Sequence, residues 1–254
     1  MTKSNHTNLV LCVIAVLFFL FTQQFWSIPS SNQNTYYAHA FAEANNELFR
    51  NDWFIQTQPN HIVFSWLIEI LYRLNIIQLG TYFFQILLSG IFYFSFLLII
   101  NTMLTHIAEN RSNFHNLDID KFAIIFTILI IIAKESVVIE IILTYLKDNN
   151  ILPLHGWWYL FWSMQGVAAQ YIAADYFQAS EFGVLILLAV ALGLRNYWRM
   201  AVIMLAITVN FHFSYSIHSG LLVLVFAVWL VNKREYKLAL QLLILFGLMV
   251  LPIT

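Results

Sequence analysis

Residues 81–105, T-Y-F-F-Q-I-L-L-S-G-I-F-Y-F-S-F-L-L-I-I-N-T-M-L-T, contain no charged side chain. A run of roughly 20 apolar residues is what a helix needs to cross the hydrocarbon core of a bilayer. With no water there to satisfy peptide groups, the backbone has to close its own hydrogen bonds, which within one segment means a helix. The rest of the chain follows the same pattern. Only 10% of its 254 residues are charged and 61% are hydrophobic, whereas soluble domains carry about a quarter charged residues.

Further apolar segments lie at 8–26, 62–79, 122–146, 157–174, 182–194, 199–213, 217–231 and 238–252. Together with 81–105 they predict an all-α polytopic transmembrane helix bundle of about nine spans, forming one domain over 1–254. Glu69 and Arg73 interrupt 62–79, at a spacing that lets them pair on one helical face. Lys134, Glu135 and Glu140 interrupt 122–146. A seven-span version keeps 62–79 shallow and 122–146 broken. Gln23, Gln24, Phe25 and Trp26 offer no small-residue cleavage site, so the first segment reads as an uncleaved span. The chain ends L-M-V-L-P-I-T without a polar tail, as expected of an N-terminal fragment of a longer protein.

With a cytoplasmic N-terminus, nine spans put eight of the twelve basic residues inside: Lys3, Arg73, Lys147, Arg195, Arg199, Lys233, Arg234 and Lys237. Arg50, Arg111 and Lys121 fall outside, the asymmetry expected of membrane proteins. The net charge of −1 says nothing about nucleic acid, but no basic cluster reads as a phosphate-backbone patch, so nucleic acid is not expected as a partner. The single cysteine, Cys12, allows no internal disulfide and no cysteine-based metal site.

The long polar stretch, 27–61, follows the first span and forms the first extracytoplasmic loop. Tyr37, Phe41, Ala44 and Leu48 recur at helical spacing, with Tyr36, His39, Glu43, Glu47 and Arg50 on another face. This pattern predicts an amphipathic interfacial helix, aromatic side in lipid and charged side up, ended by Asn51 and Asp52 and anchored by Trp53 and Phe54. His39 and Glu43, one turn apart, could share a proton or a divalent cation, but two ligands fall short of a usual metal site.

Polar groups at membrane depth are the first candidates for function. The upward face of the loop supplies His39, Glu43, Glu47, Arg50, Asp52 and His61. The stretch N-F-H-F-S-Y-S-I-H, 210–218, turns His212, Ser214, Tyr215 and His218 toward an outward cavity, or else is a hairpin turn that meets water. No acid is placed to complete a serine-hydrolase triad. In Q-G-V-A-A-Q-Y-I-A-A-D-Y-F-Q-A-S-E-F-G, 165–183, small residues allow close helix approach. There Ser180 reads as a cap with Glu181 in the next first turn, while Gln178 and Asp175 stay open as site residues. Lys134, Glu135 and Glu140 are candidates for a proton relay or mark the end of a span.

The order of features resembles the N-terminal half of the GT-C class of integral membrane glycosyltransferases. N-Q-N-T-Y-Y-A-H-A-F-A-E-A-N-N-E-L-F-R-N-D-W-F at 32–54, P-N-H-I-V-F-S at 59–65 and Y-F-Q-A-S-E-F-G-V-L at 176–185 carry the resemblance to a bacterial branch of that class. It implies a multi-pass protein of the bacterial inner membrane that takes a sugar from a polyprenyl-phosphate donor at the extracytoplasmic face. In that class an acid soon after the first span activates the acceptor or holds a divalent cation. The corresponding place here holds Asn32, Gln33 and Asn34, so either Asp52, Glu43 or Glu47 takes the role or the chain is not a competent transferase. Arg50, His39, His61, His212, His218 and Gln178 are the expected substrate-binding residues, with Arg50, His212 or His218 stabilising the departing phosphate. Rival readings are an O-antigen-polymerase-like enzyme and a non-catalytic or transport protein.

Overall fold

The computed structural model describes residues 33–45, 51, 52, 55, 57, 61–110, 125 and 177–250. The expected spans 8–26 and 157–174, and 122–146 apart from residue 125, lie outside the described residues, as do Glu47, Arg50, Trp53, Phe54, Lys134, Glu135, Glu140 and Asp175. Seven α-helices are described: α1 Gln33–Ala44, α2 Ile62–Arg73, α3 Ile77–Asn110, α4 Val184–Leu194, α5 Trp198–Phe211, α6 Ser216–Asn232 and α7 Tyr236–Val250. Short 3₁₀ turns precede α4 (Ala179–Gly183) and α6 (Phe213–Tyr215).

The expectation of nine spans, or seven, is overturned. Among the described residues two stretches are long and apolar enough to cross a membrane, Ile77–His106 and Phe213–Asn232. The physical reason is length. Helices α2, α4, α5 and α7 have 12, 11, 14 and 15 residues. At 1.5 Å per residue they are about 17–23 Å long, against a hydrocarbon core of ~30 Å. Hydropathy located these helices well; it could not tell a spanning helix from a shorter one. The result is a helical membrane-associated protein with two candidate spans among the described residues. The outer faces agree with that, since Ile217, Leu221, Leu224, Val225 and Val228 form an exposed apolar stripe along α6.

One turn design joins three helix pairs. Asn75, Asn196 and Arg234 adopt left-handed backbone, with φ of 56°, 64° and 65°. Each donates its N–H to a carbonyl three residues back, on Tyr72, Gly193 and Val231. The next residue donates five back, from Ile76 to Leu71, Tyr197 to Leu192 and Glu235 to Leu230. This is the Schellman closure, which satisfies the carbonyls a helix leaves open at its end. A small buried residue follows each time, Gly80, Ala201 or Ala239. At Gly80 a Cβ would stand 2.5 Å from Leu71 Cδ2, so a larger residue there would force the Leu71 side chain to shift.

Helices α4–α7 pack around Ala201, Val202, Leu205, Leu230 and Leu242. Phe177 stacks on Phe84 at 5.6 Å and Arg195 Nε donates to Thr102 Oγ1 at 3.1 Å, so α4 runs parallel to α3. A second cluster joins Tyr37 and Ala40 of α1, Phe64, Ile68 and Leu71 of α2, and Phe177, Ala179 and Phe182. Helix α1 is thus helical where the sequence predicts it, but it is not an amphipathic helix with its aromatic stripe in lipid. Tyr37 and Ala40 are fully buried in protein, because the Tyr37 hydroxyl finds a carbonyl there, donating to Phe177 O at 2.9 Å. The helix also closes at Ala44, with Asn45 N–H donating to Phe41 O, rather than at Asn51.

Arg73 corrects the expected sidedness. Its Nε pairs with Glu69 Oε1 at 2.7 Å, as the spacing predicts, and its Nη2 donates to Glu43 O at 2.8 Å. Arg73 therefore shares a side with the first loop instead of facing it across the bilayer.

Candidate functional site

Helix ends converge where α1 begins, α2 begins and α5 passes into α6. The end of α5 carries His212 in extended backbone, at φ −148° and ψ 102°. That kink turns its imidazole inward, where it is 1% exposed. His61, the residue before α2, stacks on it with ring centroids 4.2 Å apart and planes 27° off parallel. Tyr36 of α1 stands beside both rings, 5.0 Å from His61 and 6.3 Å from His212. Tyr215 closes the other side at 5.3 Å from His212, with His218 6.4 Å beyond it.

Two tyrosine hydroxyls fix the main chain between these elements. Tyr37 donates to Phe177 O, and Tyr215 donates to Ser180 O, both at 2.9 Å. Gln178 lies between the two anchored carbonyls and is fully buried. Gly183 makes the second anchor possible, since a Cβ there would lie 2.5 Å from the Tyr215 hydroxyl. Ser180 sits inside the 3₁₀ turn rather than at a cap; Gln178 and Gly183 hold the two cap positions, neither with a side-chain cap bond. Glu181 is buried within this turn and acts electrostatically on Tyr215, as does Tyr36.

The polar atoms gathered here are unusually short of partners. His61 Nδ1, both ring nitrogens of His212, and both amide atoms of Gln178 are buried without a hydrogen bond, as are His218 Nδ1 and Ser219 Oγ. Native interiors satisfy the great majority of such groups, and each one left open carries a desolvation cost of about 1–3 kcal/mol. Donors and acceptors left open at this density are available to a polar guest or to water. Burial pushes the imidazole of His61 down to about 4, with neighbouring His212 adding to the effect. Burial likewise pushes His212 down to about 4. Both rings are therefore neutral near pH 7, each with one N–H to donate and one lone pair to accept.

The loop residues form a separate, outer part of the arrangement. His39 is buried on the α1 face that also carries Tyr36 and Glu43. Its pKa is lowered by burial, opposed by the negative charges of Glu43 and Asp52. Both carboxylates are exposed. So the structure brings His61 to His212 and places Glu43 and Asp52 within electrostatic reach of His39, while Glu47 and Arg50 lie outside the described residues. Ser214 is exposed and outside the cluster. Among the described residues no three His, Cys, Asp or Glu side chains gather as a metal site.

Sequence reasoning named both histidines but did not join them, and it missed the clamping role of Tyr37, which helical spacing assigned to lipid. The available signal was the hydroxyl itself, since a tyrosine in an apolar stripe still seeks a partner for its O–H. No family model, curated protein or solved structure matches the chain. The chemistry of the site therefore carries the functional reading.

Proposed function

We propose that the chain is a GT-C-like membrane glycosyltransferase, using a polyprenyl-phosphate-linked sugar at the extracytoplasmic face. The observation that carries this reading is His212, buried with both ring nitrogens unpaired and stacked on an equally neutral His61. In this account the imidazole N–H groups and the Gln178 amide donate to the donor phosphate. They gain strength as the sugar C1–O bond breaks and charge develops on the departing polyprenyl phosphate. Asp52 or Glu43 takes the proton of the acceptor hydroxyl as its oxygen bonds to C1. Being neutral, the imidazoles offer the phosphate hydrogen bonds rather than a countercharge.

The resemblance in residues 32–65 and 176–185 supports the same reading, and so does the position of the site. It lies at the far end of α5 from the basic turns 195–197 and 233–235, about 21 Å away for 14 residues.

The test separates the two halves of the site. In proteoliposomes supplied with a polyprenyl-phosphate hexose, Asp52→Asn retains donor binding and loses transfer, whereas His212→Ala loses donor binding. Transfer at the wild-type rate by both variants contradicts the proposal.

A further inference from the structure

The opposite end of the bundle carries a different chemistry, independent of the transferase reading. The turns after α4 and α6 lie side by side there, since Arg199 Nη2 donates to Gln241 Oε1 at 3.0 Å and Ala201, Leu230 and Ala239 share one core. They bring together Arg195, Arg199, Lys233, Arg234 and Lys237, all exposed, against a single acid, Glu235. Three of the five are held in place: Arg195 on Thr102, Arg199 on Gln241, and Lys233 with Nζ 5.0 Å from the centre of the Trp229 ring. Arg234 and Lys237 have no partner among the described residues. Around them Tyr197, Trp229 and Tyr236 stand more than half exposed, the aromatic rim found where a helix bundle meets lipid headgroups.

Arg234 is the decisive residue. The same Schellman turn occurs three times, and at its left-handed position two copies use Asn, which tolerates positive φ through its short polar side chain. The third copy holds an arginine in that strained backbone, at φ 65°. Such strain persists where something else outweighs it. The two backbone hydrogen bonds that close the turn outweigh it here, and among the described residues no side chain engages the Arg234 guanidinium, which leaves it open to an outside anion.

We propose that the turns 195–199 and 233–237 form a seat for the headgroup of an anionic membrane lipid, with Arg234 and Lys237 on the phosphate and Trp229 and Tyr236 against the glycerol and upper acyl chain. Planar guanidinium is suited to bidentate phosphate binding, and lysine adds a point charge. A zwitterionic headgroup offers the same phosphate with its charge already compensated, so the seat discriminates by net charge.

The experiment uses the full chain in a zwitterionic detergent, titrated with phosphatidylglycerol or phosphatidylcholine and read by melting temperature and by retained lipid in native mass spectrometry. Phosphatidylglycerol raises the melting temperature and stays bound; phosphatidylcholine and inorganic phosphate do neither. Each basic residue near an anionic surface is worth ~1 kcal/mol, or about fivefold in affinity. Arg234→Asn therefore weakens phosphatidylglycerol binding about fivefold while holding or raising the melting temperature without lipid, because the strain is relieved. Arg234→Lys keeps most of the response. Lys237→Gln, at an exposed position in the first turn of α7 and away from the left-handed backbone, supplies the same readout if Arg234→Asn folds poorly. An unchanged phosphatidylglycerol response in Arg234→Asn or, where that variant does not fold, in Lys237→Gln overturns the proposal. So does an equal response of the wild type to phosphatidylcholine or to inorganic phosphate.

Discussion

The imidazoles of His61 and His212 stack at 4.2 Å in a buried setting where neither can hold a proton at neutral pH. That pairing ties stability to pH in a definite direction. The folded values are about 4 against 6.5 in the unfolded chain, so between those limits the unfolded state binds more protons and stability rises with pH. Full stability is present above pH 6.5 and is lost as pH falls toward 4. For His212 alone the shift corresponds to roughly 3 kcal/mol. Melting temperatures of the solubilised protein from pH 7.5 to pH 4 drop steeply across that window, and His212→Gln flattens the drop.

The two tyrosine anchors differ in how they fail. Tyr37→Phe removes the donor to Phe177 O and leaves a buried carbonyl open, at a cost of about 1–3 kcal/mol. Gly183→Ala forces a Cβ against the Tyr215 hydroxyl and moves the ring that flanks His212. Equilibrium unfolding in denaturant separates them, with Tyr37→Phe lowering stability alone and Gly183→Ala also reducing donor binding.

At Asn75 the left-handed backbone, φ 56°, sets which side chains the first turn accepts. Asn75→Gly leaves the melting temperature unchanged or slightly raised, since glycine adopts this backbone freely. Asn75→Val lowers stability by ~1–2 kcal/mol, because a β-branched residue resists positive φ. Thermal melts of the two variants check this.

The bond from Arg73 to the Glu43 carbonyl predicts sidedness. With Cys12 replaced by serine, the chain has no cysteine, and single cysteines placed at positions 43, 73 and 237 report alone. A membrane-impermeant maleimide labels positions 43 and 73 from the same face of oriented vesicles and position 237 from the opposite face. Labelling of 43 and 73 from different faces contradicts the structure.

What was legible in the sequence was largely local. The apolar runs at 199–213, 217–231 and 238–252 fall within two or three residues of α5, α6 and α7, because helix limits follow composition. Whether a helix spans depends on its axial length. The segment 62–79 hid a break at Asn75, where the αL turn divides it into α2 and the start of α3. Among the candidate residues, His212 stood out as a polar residue between two apolar helices. Its partner His61 comes from the other half of the chain, and no helical or strand spacing connects them. Tyr36 and Tyr37 illustrate the same limit, since adjacent positions on α1 serve two neighbouring parts of the interior.

The most direct test of the account asks whether His61 and His212 act together on a lipid phosphate. Native mass spectrometry of the full chain with polyprenyl monophosphate is read for wild type, His61→Ala, His212→Ala and the double variant. The account predicts an adduct on the wild type, its loss in each single variant, and no further loss in the double variant, as for residues that work as one unit. An adduct of wild-type abundance on the double variant would contradict it.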